Sequence, residues 1–161
     1  MLLSPDDKRN RFEKILQQIE RLLDQPGSTE ERLQSICRML REGIPYYHWV
    51  GFYRVDPEKD RELVLGPYEG EPTEHTRIPF GKGICGQAAE QGRTFVVPDV
   101  SKVDNYLSCS VRVRSEIVVP IVKAGGVVGE LDVDSHDLAP FSSEDTEYLE
   151  KIARMISQRL F

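Results

Sequence analysis

Two cysteines of this 161-residue chain stand in settings unlike an ordinary core position. Cys85 lies in "GKGICGQAAEQG", between glycines and at the start of a short helical run. A helix N-terminus favours a thiolate, and so does a cation such as Lys82, three residues upstream. The same glycines would equally serve a tight turn with Cys85 packed beneath it, and the local sequence leaves both readings open. Their spacing matches neither a P-loop nor a dinucleotide fingerprint. Cys109 lies in "YLSCSVRVRSEIVVP", among polar residues with Arg112 and Arg114 nearby. That is loop context, where a thiol is more accessible and where chemistry is often carried. Carboxylates form the second group. Asp132 and Asp134 in "GELDVDS" are two apart, so they share one strand face with Glu130, and Glu116 opens the run "EIVVPIV". Such a face is either the solvated side of an antiparallel sheet or the lining of a pocket for a cationic group. Like charges on one strand face repel, and a bound cation relieves that.

These residues need elements to hold them. "SPDD" starts a helix with Ser4 as N-cap, Pro5 at N1 and Asp7 at N3. Phe12, Ile15, Leu16, Ile19, Leu22 and Leu23 then recur at helical spacing until "QPG". A second helix starts at "STEE", with Ser28 and Glu31 as a capping box, and its stripe of Leu33, Ile36, Cys37 and Leu40 ends at Gly43. Cys37 on that stripe reads as core filler, since free cysteine is among the most buried residue types. Ser142 and Asp145 cap a C-terminal helix with Leu149, Ile152, Ala153, Ile156 and Leu160 on one side. Between the helices, "YHWVGFYRVD", "ELVLG", "TRIPF", "TFVVPDV", "SEIVVPIVKAG" and "GVVGELDVDS" read as strands. "KAGG" reads as a hairpin turn, which makes the last two strands antiparallel neighbours. The order predicts an α+β fold, a mostly antiparallel sheet with helices packed on one face.

The length predicts one domain over 1–161: two helices in 1–43, a sheet with a short inserted helix in 46–136, and a final helix in 142–161. A net charge of −6 argues against a nucleic-acid partner. No apolar run reaches the roughly 20 residues that span a bilayer, and "MLLSPDDKRN" lacks the pattern of a signal peptide. Three cysteines, an odd count, do not make a disulfide framework. Together these features predict a cytoplasmic protein.

The stretches "WVGFY", "ELVLGPYEGEPTEHTRIPFGKGICGQA", "SEIVVPIV" and "GELDVDS" resemble the GAF-domain family of free methionine-(R)-sulfoxide reductases. The resemblance runs from about Tyr46 to Phe141. It implies a GAF fold with a ligand pocket on the sheet face away from the packed helices. It implies Cys109 as catalytic cysteine, with Cys85, 24 residues earlier, as the cysteine of the "G-[VI]-C-G" turn. It implies Glu116, Asp132 and Asp134 as substrate-binding acids and Trp49 as the ring packed near the substrate methyl. The chemistry suits these residue types. A soft thiolate attacks the sulfoxide sulfur, and a carboxylic acid such as Glu116, with a raised pKa, protonates the departing oxygen. Carboxylates pair the ammonium of the free amino acid. The sulfenic acid left on Cys109 condenses with a second thiol, and a thioredoxin-like dithiol or glutathione restores the enzyme. No tightly bound cofactor and no metal are implied. The family also implies a homodimer.

The chain departs from the family at two places. His75 in "EHTRIPF" stands where the family has its usual resolving cysteine, ten residues before Cys85. The loop before Cys109 reads "NYLSC-S" where the family commonly reads "GHIAC-D". Loss of the resolving thiol leaves Cys85 or an external thiol for that step. It also favours an alternative: a stand-alone GAF module that binds a small ligand, or senses redox state through Cys85 and Cys109, without efficient turnover.

Overall fold

The computed structural model describes residues 3–107 and 110–161. The long helices begin where the sequence caps them. In α1 (Pro5–Leu23), the Asp7 N–H donates to Ser4 Oγ at 3.1 Å. In α2 (Thr29–Gly43), the Glu31 N–H donates to Ser28 Oγ at 3.1 Å. In α4 (Ser143–Leu160), the Ser142 N–H donates to Asp145 Oδ2 at 2.9 Å. Each bond satisfies one of the donors that a helix N-terminus leaves orphaned.

Six strands make one sheet: β1 (Trp49–Val55), β2 (Glu62–Glu69), β3 (Arg77–Pro79), β4 (Phe95–Val97), β5 (Ser115–Lys123) and β6 (Gly126–Ser135). Their order is β3-β2-β1-β6-β5-β4, and every pairing is antiparallel. The β5–β6 hairpin turns at Ala124 and Gly125, both with positive φ (53° and 81°). Two left-handed residues are what a two-residue turn matched to strand twist requires.

Strand alternation gives the sheet two faces. Val50 and Phe52, with Ile117, Val119, Leu131 and Val133, face the core shared with α1, α2 and α4. Trp49, Tyr53 and Val118 face the other way, into a second apolar cluster with Ile84, Cys85 and Ala88 of α3 (Gly83–Gln91). Parity alone therefore separates the structural core from the side where the acids lie. Cys37 is fully buried in the first core, and that burial pushes its thiol pKa far up, so it stays a neutral thiol.

One buried polar knot ties α1 to α4. Lys8 Nζ donates to Asp145 Oδ2 (2.7 Å), to the Pro140 carbonyl (2.9 Å) and to Ser142 Oγ (2.8 Å). Tyr46 and Tyr47 hydroxyls both donate to Asp145 Oδ1 at 2.8 Å. All the donors of the ammonium are used, which is the condition for keeping a lysine inside. Among the described residues, no helix is long and apolar enough to cross a membrane.

Candidate functional site

The register of the three central strands lays the acids out in rows. Trp49 pairs with Asp134, which pairs with Glu116; Gly51 pairs with Asp132, which pairs with Val118; Tyr53 pairs with Glu130, which pairs with Pro120. Directly opposed residues on one face have Cβ atoms about 4.5–5.5 Å apart. Four carboxylates thus share one patch, about 13 Å from Asp134 to Glu130 along the strand. It is not a solvated face: Glu130, Asp132 and Asp134 are 0% exposed and Glu116 is 4% exposed.

Helix α3 brings the thiol down onto this patch, and the glycines of "GKGICG" explain how. A Cβ on Gly86 would sit 2.6 Å from the Pro79 carbonyl oxygen and 3.0 Å from the Gly81 nitrogen. Gly83 has φ +63°, and a Cβ there would meet Leu107 at 2.9 Å. The backbone can approach this closely only without side chains. Asn105 stitches the neighbouring loop onto the turn, accepting from the Gly83 N–H (2.9 Å) and donating to the Gly81 carbonyl (2.7 Å). Cys85 is buried, and its thiol points at Glu116 Oε2 across 3.9 Å. Cys85 Sγ and carboxylate oxygens of Glu116 and Asp132 all lie within 4.8 Å of one another.

These three residues line a narrow cavity with Tyr53, His75 and Lys82. It admits the centre of a water-sized sphere over only about 10 Å³, about the room one water needs. Larger hollows exist, about 510 Å³ between α1 and α2 and about 360 Å³ beside α4. They hold none of the thiols and buried acids just described, so size does not locate the chemistry.

Burial shifts the titration of two of these acids. The Glu130 carboxyl is held well above its ordinary pKa, first by burial and then by the neighbouring Asp132 charge. Asp132 is also raised, again by burial first. Hydrogen bonding to Cys85 and, for Asp132, to Glu116 offsets part of these shifts. Beyond those neighbours, no group among the described residues donates a hydrogen bond to either carboxyl group. Buried polar groups are normally well satisfied, and these two have only those neighbours to draw on.

Of the residues singled out from sequence, the structure brings Cys85, Glu116 and Asp132 together. Asp134 lies one row along on the same face. Trp49 shares the apolar cluster of Cys85; its indole lies over Gly51, stacks on Tyr68 (5.4 Å, 17°) and donates to the Glu71 carbonyl at 2.9 Å. Cys109 lies outside the described residues, and so does any approach between it and Cys85. Sequence reasoning put Glu130 on the acid face through its alternation with Asp132 but gave no place to Tyr53 or Asn105. Alternation from Trp49 would have found Tyr53. Tyr53 Oη donates to the His75 carbonyl at 3.1 Å, fixing that loop against the sheet.

A GAF domain model matches residues 28–160. The chain belongs to the GAF domain family. This GAF domain is 41% identical over 154 residues to GAF domain-containing protein A of Dictyostelium discoideum, covering 96% of this chain and 95% of that protein. It is 34% identical over 157 residues to free methionine-R-sulfoxide reductase of Saccharomyces cerevisiae, covering 91% and 86% of the two chains. Among solved structures, free methionine-R-sulfoxide reductase of Neisseria meningitidis in complex with its substrate superposes with a TM-score of 0.89. That pair is 38% identical, covering 99% of this chain and 93% of the other.

Proposed function

We propose that this GAF domain reduces free methionine-(R)-sulfoxide to methionine, with Cys109 as nucleophile. The observation that carries the reading is the buried acid patch: crowded carboxyl groups of Glu130 and Asp132 beside Glu116, with a thiol among them. A free amino acid supplies what that patch lacks, an ammonium to pair with the carboxylates. Relatives named for this reaction, one of them solved with its substrate, support the assignment.

In this reading Glu116, Asp132 and Asp134 seat the ammonium end, and Trp49 walls the methyl. Lys82, exposed at the cavity, offers a cation for the substrate carboxylate. The Cys109 thiolate attacks the sulfoxide sulfur. A carboxylic acid supplies the proton to the oxygen, and burial favours that protonated form at Glu130. That oxygen ends on Cys109 as a sulfenic acid, and methionine leaves as the thioether. A second thiol, Cys85 or an external one, then displaces the hydroxyl as water and forms a disulfide, which a thioredoxin-like dithiol or glutathione reduces. The cavity is too narrow for the whole amino acid, so binding displaces side chains at its mouth, Leu107 and Lys82 among them.

A second reading rests on His75, which lines the cavity where the family's resolving cysteine belongs: ligand binding without sustained turnover. Anaerobic incubation of the reduced protein with free methionine-(R)-sulfoxide, counting methionine formed per chain, decides between them. About one methionine per chain without reductant, and many with it, supports the enzyme. No methionine, with calorimetric binding of methionine, leaves the sensor.

A further inference from the structure

We propose that the acid patch and Cys85 form a site for a divalent, thiol-accepting cation of the zinc class, held by Cys85, Glu116 and Asp132. Cys85 Sγ is 3.9 Å from Glu116 Oε2, and the three ligand atoms lie within 4.8 Å of one another. Around a tetrahedral zinc, sulfur and oxygen ligands stand about 3.5 Å apart, given bond lengths of about 2.3 and 2.0 Å. The atoms therefore need to close by up to about 1.5 Å, within reach of side-chain rotation on a fixed backbone. The mix of one soft thiolate with hard carboxylates suits a borderline cation; magnesium or calcium would seek oxygens alone.

An acidic cluster by itself is weak ground for a cation site. Here a separate observation points to a missing cation. Glu130, adjacent to the three ligands, is completely buried, and apart from the Cys85 thiol no group among the described residues donates a hydrogen bond to its carboxyl group. The patch packs four acids onto two neighbouring strands, and Lys82 is the one lysine or arginine lining the cavity among the described residues. Three protein ligands leave the fourth position to water, the pattern of an open site. Binding replaces the Cys85 thiol proton, which passes to solvent as the sulfur–metal bond forms. Protons on the coordinating carboxyl groups leave the same way.

The consequence is mutual exclusion. One metal ion and one substrate ammonium satisfy the same carboxylates, so they cannot be held together. This last step rests on the function proposed above; the metal site itself does not. Zinc would then be an inhibitor that masks Cys85 and empties the substrate seat.

Cobalt(II) added to the reduced, metal-free protein gives the test, because it reports its own ligands. Expected are a thiolate-to-cobalt charge-transfer band in the near ultraviolet and the intense visible bands of a tetrahedral ion. Zinc should displace both. Cys109→Ser and Cys37→Ala should keep the charge-transfer band, while Cys85→Ser should lose it. Asp132→Asn should weaken zinc binding, by competition with a chromophoric chelator, about 10-fold or more. Thermal melts establish that each variant is folded. A normal Asp132→Asn spectrum, or a charge-transfer band that survives Cys85→Ser and disappears in Cys109→Ser, overturns the site. Substrate-binding experiments form a separate arm. If cobalt binds as described while methionine sulfoxide neither displaces it nor is reduced, the metal site stands and the reductase reading fails. If methionine forms but cobalt shows no thiolate band, the reverse holds.

Discussion

Asp132 is where burial, charge and reactivity meet. It is fully buried, opposed on β1 by Gly51 rather than by another side chain, and within reach of both Cys85 and Glu116. Asp132→Asn keeps the shape and removes the charge that pairs the substrate ammonium. We expect the first-turnover rate of methionine formation at sub-saturating substrate to fall about 100-fold or more, the scale of a lost buried charge pair. Rapid-quench counting of methionine per chain measures it; a fall below tenfold would remove Asp132 from the reaction. His75 makes the complementary prediction. His75→Cys restores a thiol on the cavity and should raise the steady-state rate with a dithiol reductant while leaving the first turnover unchanged. An unchanged steady-state rate would mean that recycling does not pass through this position.

At the scale of elements, α3 is set by backbone contact more than by side chains. Gly86→Ala places a methyl 2.6 Å from the Pro79 carbonyl oxygen, so the helix must move, and Cys85 with it. The expected cost is about 1–3 kcal/mol of stability and a loss of activity. Gly92→Ala is the control. Its φ of +65° also strains an alanine, by about 1–2 kcal/mol, but the nearest atom is 3.8 Å away and α3 need not shift. Both variants should melt lower in a denaturant titration, and only Gly86→Ala should lose cobalt or substrate binding. The junction of α1 with α4 carries a different risk. Asp145→Ala leaves the buried Lys8 ammonium without its counter-charge and should cost about 3–5 kcal/mol. Lys8→Met added to it should recover part of that loss in chemical melts. If the double variant is no more stable than the single one, the charge pair is not what the cost reflects.

For the molecule as a whole, the raised carboxyl groups link stability to pH. Glu130 and Asp132 have folded pKa values above their unfolded ones, which are about 4.3 and 3.9. Their contribution to stability is therefore complete below about pH 4 and is lost as pH rises through the folded values. Each unit of elevation corresponds to about 1.4 kcal/mol over that window. Glu130→Gln should make stability fall less steeply between pH 5 and 8 than in the wild type, by urea melts at matched ionic strength. Partly buried acids with lowered pKa, such as Asp56 beside Arg77, act in the opposite sense, so the difference between variant and wild type is the quantity to read. A ligand that brings an ammonium should raise the melting temperature more at pH 8 than at pH 5. Identical pH slopes for both proteins would contradict the burial argument.

Much of this arrangement is legible without coordinates. Ser4, Ser28 and Ser142 announce their helices because capping is a contact between residues three apart. The alternation of "GELDVDS" puts three acids on one face, and "KAGG" joins that strand to its neighbour, because both depend on local backbone geometry. The resemblance of "RIPFGKGICG" and "SEIVVP" places the chain in its family. Sequence alone leaves open whether the acid face is wet or buried, and whether the glycines around Cys85 serve reactivity or packing. Those answers depend on what covers the sheet. Helix α3 closes over the acids only because Gly86 lets it touch the 79–81 backbone and because Asn105, some twenty residues away, ties a second loop to the same turn. Burial by a distant segment leaves no periodic mark on the strand it covers. The strand pattern thus determined which side chains point together, and tertiary packing decided that they are buried and crowded beside a thiol.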